Sequence, residues 1–217
     1  MKIIPFIFLI FFFGCSNDNC NINKNQPLKN ITVQNLISDI ASTQDLNSFN
    51  TFLYENKNTL YPFYEIEDTL FLFEKSVNAF TLIDNIYFDS LYSDVNSEFQ
   101  DLNKLFYPLD ESFTKFNQQS NIKLSPNITI LISGFFNDIV VDRENIIIGL
   151  DYFLPKTNKY KPRDLPSYIL DQYTPDHINA ISLSTYLSQF NLINESDLTM
   201  INEMISFGKL YYVVSKL

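Results

Sequence analysis

Residues 127–154 read NITILISGFFNDIVVDRENIIIGLDYFL, and this stretch decides the fold class. Its residues are apolar and β-branched, bounded by Pro, Gly, Asn and Asp, which predicts strands. Ile128–Ser133 makes one strand. DIVVDRENIIIGLDYFL, from Asp138 to Leu154, reads as a hairpin: Ile139, Val140 and Val141, a polar turn over Asp142–Asn145, then the return. Strands in mid-chain with helical patterns on both sides predict an α+β fold, mainly helical with a small antiparallel sheet.

Upstream, apolar residues recur at spacings of three and four, the mark of amphipathic helices. Leu46, Phe49, Phe52 and Leu53 form one stripe before a break at Pro62. Leu70, Phe73, Val77, Phe80, Ile83 and Tyr87 form a longer one. Val95, Phe99, Leu102, Leu105 and Phe106 run on to Pro108, and Phe113 and Phe116 mark a further short helix. Aromatic stripes of this kind are expected in the core. Downstream, a polar loop over Pro155–Asp164 leads to helices over Leu165–Tyr173, Pro175–Phe190 and Leu198–Val214. Thr174 before Pro175 has the form of an N-cap with proline at the first helical position.

The chain begins with Lys2, then an apolar run over Ile3–Phe13, then Gly14 and Cys15. A bilayer span needs about 20 apolar residues, so this run is too short to be one. A basic start, a short apolar region and a small residue before a cut describe a signal peptide, here residues 1–14. The Gly14–Cys15 junction resembles the lipobox of bacterial lipoproteins, which implies cleavage before Cys15 and lipid attachment to its thiol. Phe12 stands where Leu is usual. A plain secretory signal with a Cys15–Cys20 disulfide is the other reading of the two cysteines. Residues 15–34, polar and rich in Asn, are expected to be a flexible tether, and residues 35–217 a single domain. An ordered arm through Ile31 and Val33 is the alternative to the end of that tether.

Fifteen Lys and Arg against 25 Asp and Glu leave a net charge of −10, with no basic cluster and no glycine-rich loop. Nucleic-acid binding needs a basic face and is excluded from the expected functions. Anionic headgroups repel such a chain, so an anchor must hold it without electrostatic help. The sole histidine, His177, cannot build a catalytic zinc site, which commonly takes two or three. It is expected to be a surface residue beside Asp176. No nucleophile elbow is present. Asp138, Asp142, Glu144 and Asp151 gather around the hairpin, and Asp142 and Glu144 could share a strand face toward a calcium ion. Solvated turn residues are the simpler expectation. No catalytic residue, metal ligand or cofactor is assigned.

The order of Gly134, Val140, Leu150–Asp151, Tyr152, Leu154, Pro166, Tyr168, Pro175, Ile178, Met204–Ile205, Gly208–Lys209 and Tyr211 resembles the gliding-motility lipoprotein GldB family of the Bacteroidota. The resemblance is patterned over residues 125–217. It implies kinship to predicted zinc metallopeptidases with a degenerate site, hence a zincin-like layout without the metal. Where the family reads Glu-Gly-Lys, this chain has Phe207 before Gly208 and Lys209, and Ala180–Ser184 offers no ligand either. The family's chains also extend further, so residues 198–217 are expected to be poorly buried here.

The function implied is a non-enzymatic lipoprotein of the cell envelope, expected in the outer membrane. It would support gliding motility together with type IX secretion, with other envelope proteins of that machinery as partners. The alternative is an envelope hydrolase of peptide or peptidoglycan, which would require Asp151, His177 or Glu203 to meet in one cleft. A secreted glycoprotein modified at Asn127 or Asn194 ranks last.

Overall fold

A computed structural model describes residues 27–67, 71–162, 165–190 and 199–217. The signal peptide, Cys15 and its proposed lipid, most of the tether, Leu70 and Asn194 lie outside the described residues.

Four strands make one sheet in the order β1 (Thr32–Asn35), β2 (Asn127–Leu131), β4 (Asn145–Gly149), β3 (Ile139–Val141). The α+β class holds, but the sheet is mixed. The β3–β4 hairpin is antiparallel as expected, pairing Val140 with Ile147. β2 runs parallel to β4, with Ile128 opposite Ile146, and β1 parallel to β2. The reason is visible in the side chains. Four consecutive residues of β2 and four of β4 are buried, so both faces of these strands are covered, as parallel strands require. The return strand also ends earlier than expected, because Leu150–Phe153 turns into a short 3-10 helix.

The expected tether stops short of Gln34. Ile31 is buried and Thr32–Asn35 is the edge strand β1, so the end of that stretch is the ordered arm. One carboxylate holds it there: Asp110 Oδ1 accepts the backbone N–H groups of Lys29, Asn30 and Ile31 at 3.0, 2.7 and 3.1 Å.

Among the described residues, six helices lie between β1 and β2: α1 (Ile37–Ala41), α2 (Leu46–Glu55), α3 (Lys57–Phe63), α4 (Leu72–Ile83), α5 (Phe88–Glu98) and α6 (Leu102–Gln119). Asp45 caps α2 through a reciprocal pair with Ser48, and Asp101 caps α6 through the Lys104 N–H. Pro62 lies within α3 rather than ending it. Pro108 likewise sits inside α6, which continues through Phe113 and Phe116 as one helix of 18 residues. Proline here removes only the bond to the Lys104 carbonyl, and both residues are solvent-exposed, so water can satisfy that group.

The buried face of α4 also differs from the expected stripe. Ser76, Ala79 and Ile83 point inward, while Phe73 is 69% exposed and Tyr87, beyond the helix, is also exposed. The small residues let α4 lie close to α2, with Phe80 half-buried 5.6 Å from the Phe49 ring. The buried face is therefore offset from the expected stripe rather than replaced: Ile83 is buried and Phe80 packs against the core as expected, whereas Phe73 is turned out.

After the sheet come α7 (Ser167–Leu170), a 3-10 turn over Pro175–His177, α8 (Ile178–Ser188) and α9 (Met200–Val214). The Thr174 backbone adopts an N-cap conformation before Pro175, but its hydroxyl bonds the His177 ring at 2.7 Å instead of a backbone N–H. α1 packs on β2, α3 on β4, α8 on β3 and α9 on α8. Among the described residues no helix is long and apolar enough to cross a membrane.

Candidate functional site

The carboxyl ends of parallel strands are where open α/β sheets gather chemistry, and here β2 and β4 end side by side. β2 leads into Ser133-Gly134-Phe135-Phe136-Asn137-Asp138, and β4 leads into Asp151 and Tyr152. Gly134 and Phe135 both adopt left-handed backbone angles, φ 67° and 63°. Glycine takes that conformation freely, whereas a phenylalanine does so only under constraint.

Asp151 supplies the constraint. It is fully buried, and its carboxylate accepts the N–H of Ser133 at 2.9 Å and of Phe135 at 2.6 Å. The Ser133 hydroxyl lies 3.1 Å from Asp151 Oδ2 and accepts the Phe136 N–H at 3.1 Å. Burial pushes the Asp151 carboxyl above its ordinary range, against the pull of the bonds from Ser133 and Phe135. Tyr64, also buried, has its phenol pushed up by burial and then by the nearby Asp151 charge.

Tyrosines brace the outside of the loop. Tyr152 Oη donates to the Phe135 carbonyl at 2.7 Å, and the Phe135 and Tyr152 rings meet edge to face at 5.6 Å. Tyr173 donates to the Asp138 carboxylate, and its ring contacts those of Tyr152 and Phe153. Burial and the Asp138 bond raise the Tyr173 phenol. Asn137 reaches across to the Phe63 carbonyl at 2.7 Å. This arrangement fixes a short aromatic loop in place with half-buried Phe135 and Phe136 at its tip.

The other singled-out residues do not join it. Asp142 accepts the N–H of Glu144 and of Asn145, both at 2.8 Å, plus the Asn145 amide, so it closes the hairpin turn. His177 is exposed on its 3-10 turn, and Glu203 is exposed on α9. The three groups that a hydrolase would need therefore do not share a cleft: one is sealed in the core and two face solvent. Among the described residues no three His, Cys, Asp or Glu side chains are grouped to hold a metal. An open depression of about 530 Å³ between α5, α6 and the Pro175 turn is lined by Glu98, Asp101, Lys104, Asp176 and Asn179, and includes none of the three.

Sequence reading missed Asp110. The signal was present, since Phe106, Leu109, Asp110 and Phe113 fall on one face of α6 and all are buried. A carboxylate in such a stripe must find donors, and it finds those of the N-terminal arm.

No curated protein and no solved structure matches the chain. The family of gliding motility protein GldB matches residues 17–217, a span that takes in β1, the whole sheet, the Asp151-held loop and α9. The chain belongs to that family.

Proposed function

We propose that the chain is a non-enzymatic lipoprotein of the Bacteroidota envelope, anchored through Cys15 and acting in gliding motility together with type IX secretion. The carrying observation is the junction of sequence and family. An apolar run stops at Gly14–Cys15, and the stretch matching a lipoprotein family begins two residues later, at residue 17. The lipid holds the domain at the membrane, with the outer membrane as the proposed address. The folded part then acts by binding other envelope proteins of the motility or secretion machinery.

The site chemistry supports a binding role. Asp151 is committed to backbone donors and braces a loop. Phe207 occupies the position where the family resemblance would call for a carboxylate. A rigid loop carrying half-buried Phe135 and Phe136 suits recognition of a partner surface better than proton transfer.

The test is the intact mass of membrane-fraction protein, wild type against Cys15→Ala, alongside gliding of the same cells. The reading expects a mature chain starting at Cys15, heavier by its acyl chains, with both membrane retention and gliding lost in the variant. An unmodified mass, or full gliding without the lipid, overturns it.

A further inference from the structure

We propose that α9 docks flat on the lipid surface to which the chain is anchored, an inference that rests on lipidation at Cys15. Three observations point to a bilayer as the occupant of this helix's outer face.

The first is the face itself. Only Ser206 and Leu210 of α9 are buried, whereas Met200, Ile201, Met204, Ile205, Tyr211 and Tyr212 are more than half exposed, Met200 at 75%. Contiguous apolar surface on this scale marks an interaction site. Methionine and isoleucine with flanking tyrosines match a helix lying in the headgroup layer. With 15 residues, α9 is about 22 Å long, too short to cross the hydrocarbon core.

The second is position. The N-terminal arm is bound by Asp110 and by Thr114, whose hydroxyl accepts from Asn30 at 2.6 Å. The next residue, Lys115, donates to the Leu217 carbonyl just beyond α9, at 2.7 Å. The chain coming from the anchor and the end of α9 thus sit on adjacent residues of α6. Asn30 lies fifteen positions after Cys15, so whatever the path between them the anchor lies within about 54 Å of that spot. At such range even a weak surface affinity is filled, because docking becomes intramolecular.

The third is charge. From Met200 to Lys216 there is one acid, Glu203, against two bases, Lys209 and Lys216, in a chain of net charge −10. A segment with more base than acid meets phosphate headgroups without the repulsion that the rest of an acidic chain would feel, and the two lysines can extend their amines to them.

The chain has no tryptophan, so Tyr212→Trp places a unique fluorophore on this face, and Tyr54→Trp places one at an exposed position on α2. Each full-length protein is produced lipidated, its mass recorded, and reconstituted in phosphatidylcholine vesicles carrying brominated acyl chains. The proposal expects Trp emission at 212 to be roughly halved or more by the bromines and emission at 54 to be unchanged. Adding Met204→Asp to the Tyr212→Trp chain should restore emission without altering the helix signal in circular dichroism. An acylated protein whose Trp at 212 is unquenched overturns the docking alone. A mass lacking acyl chains overturns the anchor and the docking with it. Equal quenching at 54 overturns docking through α9. So does a doubled mass in light scattering with the 212 fluorophore shielded before lipid is added, since a second copy would then cover the face.

Discussion

The Asp151 carboxylate accepts the Phe135 N–H at 2.6 Å while Phe135 holds φ 63°, so a buried acid pins the second of two consecutive left-handed residues. Asparagine at 151 would offer one acceptor oxygen to two N–H donors and turn its own amide hydrogens toward the other. Leaving a buried donor unmet costs about 1–3 kcal/mol. Asp151→Asn is therefore expected to lower unfolding free energy by about that amount at neutral pH, read by urea denaturation. A neutral effect would mean that the loop holds its shape unaided.

The same carboxyl predicts a pH dependence. Burial raises it above the value it has in the unfolded chain. Over the interval between the two values the folded chain keeps a proton that the unfolded chain has lost. The contribution of Asp151 to stability is thus fully present below the unfolded value and declines as pH rises through the folded one. The stability lead of wild type over Asp151→Asn should be larger near pH 4 than near pH 7, and a lead growing with pH would contradict the burial argument.

Two glycines should respond to alanine with opposite signs. At Gly134 a Cβ would stand 2.8 Å from Leu82 Cβ and 2.9 Å from the Leu82 carbonyl, and the backbone is left-handed. Gly134→Ala should cost about 1–3 kcal/mol from strain, with the contact adding to it. At Gly208, inside α9, nothing lies within 4 Å of the added Cβ. Gly208→Ala should stabilise by about 1 kcal/mol, the helix-propensity difference. Thermal melts of the two variants moving in the same direction would refute the pair.

What the sequence disclosed follows from which signals are local. NIIIG and IVV around a polar turn are enough for a hairpin, and the α+β class follows from where they fall. Parallel pairing of β1 with β2 joins residues 95 positions apart, which no window reveals, and that of β2 with β4 passes over β3, although the unbroken burial in NITIL and NIIIG is the trace it leaves. On α4 the aromatic stripe misled, because proximity to α2 rewards small Ser76 and Ala79 over bulky Phe73. Asp151 stood out as a carboxylate near the hairpin, yet its task of bracing a left-handed turn depends on a loop 16 residues earlier.

That correction is measurable. Phe73 is 69% exposed and Phe113 fully buried, with its ring edge-on to Tyr186 at 5.5 Å. Phe73→Ala should change stability by no more than about 0.5 kcal/mol, while Phe113→Ala should cost about 3–5 kcal/mol through its cavity. Comparable losses at both positions would restore the aromatic stripe of α4 to the core.

Asp110 carries the attachment of the arm, and its removal has a localised signature. Three consecutive N–H groups, of Lys29, Asn30 and Ile31, converge on one oxygen, and the next residue begins β1. Hydrogen bonds to a charged acceptor contribute about 1.5–3 kcal/mol each, but three on one oxygen share its charge, so their sum is smaller than three separate bonds. Asp110→Ala should speed amide hydrogen exchange over residues 29–35 by at least about tenfold, the equivalent of 1.4 kcal/mol. Exchange in β2 and β4, which pair with each other along their full lengths, should change far less. Among the described residues β1 has only β2 as a strand neighbour, so it depends on the Asp110 clamp to fix its register. If β1 keeps its protection in the variant, the parallel pairing with β2 alone holds the arm, and Asp110 is merely a satisfied core acid.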